Sequence, residues 1–242
     1  MLPSGVRHRD DRAVSGGRHT PNQRPLCLGL GVDLSLRQFD GSQAWKISID
    51  RWSQAFEIAL WFRAVEQIHV PTAGIVPGPI DLDPVPARST DQADSAEMAA
   101  GWRVWWEALA TAPTLPNPAP PLRPPERGPF DPPHFGGLVQ WAPLQRAAEN
   151  RWRDACQWNA ERLRVGLDAE THRERLQEGL LVAEVEQSMG RSARSFDLEL
   201  VVLPVRDDHI RALSSTRHLV PESLYSSEGY EPALRRIITA LV

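Results

Sequence analysis

Lysine is almost absent from this chain. Of its 27 basic residues, 26 are arginine and one is Lys46. Arginine forks bidentately onto carboxylates where lysine is a point charge, but composition alone does not place those forks, and a GC-rich genome yields the same bias. Cysteine is nearly missing too. Cys27 and Cys156 cannot build a disulfide framework or a four-cysteine zinc site. No apolar run approaches the roughly 20 residues that cross a bilayer, and the N-terminus has no apolar signal core. A cytoplasmic protein with no membrane contact is the expectation. The net charge of −4 argues against non-specific attraction to nucleic acid.

The chemical motifs are missing as well. The seven histidines form no HExxH, and there is no Walker loop, GxSxG elbow or CxxC. Gly29-x-Gly31-x-Asp33 has Leu34 where a dinucleotide fingerprint needs its last glycine, and it precedes a strand pattern rather than a helix. No cofactor is expected.

Tryptophan and proline are abundant. All nine tryptophans fall between Trp45 and Trp158. Each is a large apolar body with one N–H donor, suited to a core or a contact surface. Ten of the 21 residues from Pro113 to Pro133 are proline, which excludes helix and central strand and favours polyproline II. Residues 71–88 hold five more prolines and read as an extended loop. Residues 1–24 carry five arginines and almost no large apolar side chain, so they are expected to be a disordered basic tail. Residues 25–242 read as one domain interrupted by 71–88 and 113–133.

Periodicity supplies the elements. Leu26, Leu28, Leu30, Val32, Leu34 and Leu36 alternate with small or polar residues, and Trp45, Ile47 and Ile49 do the same. An Asp40-Gly41 turn would pair Leu36 with Trp45, Leu34 with Ile47 and Val32 with Ile49, predicting an antiparallel hairpin over 26–50. Helices are predicted over 51–68 and 91–111, then from Pro143 to Val165 with a stop near Gly166, and from an Asp168 cap to Gly190. The last two read as an αα-hairpin at 143–190. The first of them has five arginines against three acids and the second six acids against two arginines, which suggests a charge match between them. A strand follows over Phe196–Leu203, a short edge strand over Arg217–Val220, and a final helix opened by Pro232. The expected fold is α+β: a small, mainly antiparallel sheet with helices on one face.

Three groups of residues are candidates for function. Asp207, Asp208 and His209 lie just past a strand, where a histidine beside carboxylates can act as a base. Asp81 and Asp83 are spaced to offer two oxygens to Mg²⁺. Trp158, Arg151 and Arg162 form an aromatic–basic cluster of the kind enriched at protein contacts. Asp168 and His172 fall one helical turn apart, as a surface ion pair would. Cys156 reads as a small core residue. With catalytic motifs absent and amphipathic anchors in excess, the favoured expectation is a non-catalytic, protein-binding adaptor or assembly component of a soluble bacterial complex. The alternative is a metal-dependent hydrolase or transferase using one of the acidic groups.

Overall fold

The structure is a computed structural model that describes residues 45–91, 94–112, 128–170 and 178–242, with the side chains of 167–170 excepted. Among the described residues four strands, β1 (Trp45–Asp50), β2 (Phe196–Leu203), β3 (Arg211–Ala212) and β4 (Arg217–Pro221), form one sheet in the order β1-β2-β4-β3. Six α-helices accompany them among the described residues: α1 (Gln54–Val65), α2 (Ser95–Thr111), α3 (Ala142–Glu170), α4 (Glu178–Met189), α5 (Glu222–Tyr225) and α6 (Tyr230–Leu241). The fold is α+β.

The sheet is mixed rather than mainly antiparallel. β2 pairs in parallel with both β1 and β4, and only the two-residue β3 runs antiparallel, against β4. Parallel neighbours need a long crossover. The chain between β1 and β2 supplies one, carrying α1 to α4 on the way. The antiparallel expectation came from the hairpin over 26–50, whose first strand and turn lie outside the described residues, as do the basic tail and 113–127. β4 is also not an edge strand; it lies between β2 and β3.

Helices cover both faces of the sheet, not one. Successive side chains of a strand point to opposite faces. Leu198, Leu200 and Val202 of β2 join Ile47 and Ile49 of β1 in a core closed by Leu181, Val182 and Val185 of α4 and Leu234 and Ile238 of α6. Val201 and Leu203 face the other way, with Leu219 of β4, into a larger core built from α1, α2 and α3. A strand buried on both faces reads as a continuous apolar run, which the run Leu200–Leu203 is.

The expected αα-hairpin is divided between these layers. α3 packs chiefly on α1 and α2, and α4 on α6. Their charges follow: Arg151 and Arg162 of α3 pair with Glu66 and Glu57 from the α1 segment, while Glu184 of α4 pairs with Arg235 of α6. Nor does α3 stop at Gly166. A Cβ there would sit 2.8 Å from Trp52 Nε1, so this glycine allows an indole to lie on the helix rather than ending it.

The tryptophans are core. Trp61, Trp102, Trp105 and Trp106 are at most 2% exposed, and the other five are partly buried. Trp102 and Trp106 stack at 5.2 Å between centroids. Their indole N–H groups donate to the Ala59 and Ile75 carbonyls at 2.6 and 2.8 Å, so the polar ends of these two rings are satisfied.

Candidate functional site

β2 runs past Leu203 into the segment that carries Asp207, Asp208 and His209. The strand is prolonged by an isolated antiparallel bridge between Val205 and Ile80, and the Arg206 N–H donates to the Pro79 carbonyl at 2.8 Å. Adjacent residues in a turn commonly diverge, but here one ligand atom from each of the three lies within 4.8 Å of the others. His209 Nδ1 is 2.6 Å from Asp208 Oδ1 and 3.4 Å from Asp207 Oδ1.

The two carboxylates differ in their freedom. Asp207 is nearly buried and accepts a bidentate pair from Arg211, Nε at 2.6 Å and Nη2 at 3.1 Å, plus the Gly78 N–H at 3.2 Å. Burial pushes its pKa up, but these donors outweigh it and hold the carboxyl below the usual range. Arg211 also donates to the Gly74 carbonyl at 2.9 Å. Asp207 therefore fastens the 74–78 loop to the end of β2. At Gly78 a Cβ would run into the Arg206 carbonyl, so the approach requires glycine. Asp208, by contrast, is exposed and bonded to His209, which holds its pKa low.

Asp208 and His209 open onto a groove of about 340 Å³ between α6 and the β3–β4 edge. Ile210, Leu224 and Ile237 supply half-buried apolar surface, and Ala233 lies beneath. His218 of β4 forms part of the wall and is only 8% exposed. Its Nε2 lies 3.4 Å from the Ser215 carbonyl, and burial lowers its pKa, favouring the neutral ring. Arg236 of α6 lines the groove and also a neighbouring one formed with Pro232, Arg235 and Thr239. Arg235 is paired with Glu184 and Glu231, whereas Arg236 is exposed and has no ion pair among the described residues.

Of the other candidates, Arg151, Arg162 and Cys156 are engaged within the fold, whereas Asp81 and Asp83 lie at the surface. Asp81 pairs with Arg206 at 2.5 Å; Asp83 is exposed, and among the described residues no third ligand completes a cluster with them. Arg151 donates to Glu66 and to the Ala87 carbonyl and stacks over Trp61. Arg162 grips both oxygens of Glu57 and reaches Glu222 at 2.8 Å. Trp158 is partly buried against the larger core. Of the Asp168–His172 pair, His172 and the Asp168 side chain lie outside the described residues. Cys156 is buried, with the Gln54 amide 3.8 Å from its sulfur.

Two fully buried carboxylates, Glu57 and Glu66, escaped sequence reasoning. Glu57 lies in the first turn of α1 and Glu222 directly after β4, so the Glu57–Asn159–Arg162–Glu222 network ties the start of α1 and the end of β4 to α3. Burial raises the Glu57 pKa despite Arg162 and Asn159. Glu66 has no side-chain exposure and accepts from the Ser89 and Thr90 backbone N–H groups, both their hydroxyls, and Arg151. Burial pushes its pKa up, but those five donors bring it below the usual value. The signal was there in α1, where Glu57 interrupts an apolar arc. Both networks satisfy themselves and leave no open chemistry.

No family model matches the chain, and neither a curated protein nor a solved structure matches it.

Proposed function

We propose that this chain is a non-catalytic binding module that takes a segment of a partner protein into the groove between α6 and the β3–β4 edge. One observation carries the reading: this groove combines apolar surface from Ile210, Leu224 and Ile237 with an arginine that has no ion pair among the described residues and an exposed Asp208–His209 pair at its rim. Apolar ground rimmed by polar groups is the pattern of contact sites. Trp158, Arg151 and Arg162 offer a second contact surface, but Trp158 is partly buried and the two arginines already pair with the buried carboxylates of Glu66 and Glu57. Among the described residues no helix is long and apolar enough to cross a membrane. The test is affinity purification of the full chain from its native host beside the variants Ile237→Asp and Arg236→Glu. A stoichiometric partner retained by the parent chain and lost from both variants supports the module. Equal retention by all three removes the groove from the reading.

A second reading draws on the convergence of Asp207, Asp208 and His209, whose donor set of oxygens and one imidazole suits a divalent cation. Asp207 would have to share its oxygens with Arg211. Calorimetric titration with Zn²⁺ and Mn²⁺ tests it: binding lost in Asp208→Asn favours the site, and absence of heat excludes it.

A further inference from the structure

The geometry points to a free C-terminal carboxylate as the ligand of this groove, borne by a partner chain that ends in an apolar residue. The inference rests on the binding-module reading and names the chemistry its partner would present. Three features of the groove fit three features of a chain terminus. Arg236 is exposed and has no counter-ion among the described residues, and its planar fork matches a carboxylate. Ile210, Leu224 and Ile237 offer a branched apolar bed for one terminal side chain.

The third feature is His218. Its Nε2 faces the Ser215 carbonyl, so that nitrogen carries the proton as donor, and the ring is kept neutral by burial. Nδ1 then holds a lone pair, and among the described residues it has no partner. Nδ1 is not one of the sealed, unpartnered atoms among the described residues, and on a groove-lining side chain it can accept from the backbone N–H of a terminal residue. Asp208 at the rim would oppose an incoming anion, but His209 is bonded to it at 2.6 Å and Arg236 stands on the α6 wall. A groove of about 340 Å³ accommodates one capped amino acid.

The probe is N-acetyl-leucine, titrated into the full chain while the Ile210 and Ile237 methyl and His218 imidazole resonances are followed by NMR. Saturable shifts confined to these groups are expected. N-acetyl-leucinamide, which lacks the carboxylate, and the Arg236→Met variant should each weaken binding about tenfold, as loss of one charge-assisted hydrogen bond does. N-acetyl-N-methyl-leucine, which lacks the N–H, should bind more weakly and leave the imidazole resonance unmoved. Equal binding of acid and amide, or no saturable shift, overturns the inference. If the groove variants still lose a protein partner in that case, the binding module stands and only the carboxylate ligand falls.

Discussion

Arg162 of α3 holds both oxygens of Glu57 in α1, Nη2 to Oε1 at 2.8 Å and Nε to Oε2 at 3.0 Å, and so ties the far half of α3 to the start of α1. Removing one member of a buried pair leaves the other charge uncompensated. Arg162→Ala should therefore destabilise the chain by about 3 kcal/mol at neutral pH, the lower part of the range because Arg162 is partly exposed. The loss should shrink on acidification. Glu57 already has a raised pKa, so its folded carboxyl takes up a proton earlier than the unfolded one, and its contribution falls as pH rises through the folded value. Urea denaturation of parent and variant from pH 4 to 8 checks both; a pH-independent difference would contradict the account.

Asp207 and Glu66 should behave in the opposite sense. Both carboxyls lie below their ordinary values in the folded chain. Each contributes stability above its unfolded pKa and loses it as pH falls through the lower folded value. Stability should decline below about pH 4.5, and Asp207→Asn should flatten that decline. The same variant should loosen the loop at 74–78, seen as faster amide exchange at Gly78, whose N–H donates to Asp207.

Gly166→Ala separates two readings of one residue. In an open helix interior the change stabilises by about 1 kcal/mol. Here the new Cβ meets the rigid Trp52 indole at 2.8 Å. Overpacking of that kind costs about 1–3 kcal/mol, so the net effect should be destabilising, and Trp52→Ala in the same chain should reverse its sign. A stabilising single variant would show that α3 is free at Gly166.

The tryptophans should divide by burial. Trp102→Ala removes a fully buried ring and its bond to Ala59, and about 3–5 kcal/mol of stability with it. Trp158→Ala, at a partly buried position, should cost less. Thermal denaturation of both variants measures the difference; an equal loss would place Trp158 as deep in the core as Trp102.

Local patterns were legible where one element's own residues decide its form. The alternation and apolar close of Phe196–Leu203 gave β2 its full bounds, and the 3.6-residue periodicity located α1 and α2 to within a few residues, whereas the helix expected from Asp168 is α4 at Glu178–Met189, because α3 itself runs to Glu170. The ends were less readable. Gly166 looked like a helix stop because glycine often is one, and only the neighbouring Trp52 reveals its other use. The meeting of Asp207, Asp208 and His209 was visible as a string, but not that Arg211 would take Asp207 out of circulation.

By itself, then, the sequence determined the period-2 and period-3.6 elements, the α+β class and the concentration of indoles in the middle of the chain. Those follow from side-chain spacing and backbone preference, which are local. Tertiary structure decided strand direction, the two-sided covering of the sheet and the fate of every charged candidate. Strand pairing is chosen by long-range register, and an arginine's role by which carboxylate lies across from it: Glu57 stands 105 residues from Arg162, and Glu66 85 residues from Arg151. No local pattern encodes such partners, because the energy that joins them exists only once distant helices have packed and excluded water from the charges between them.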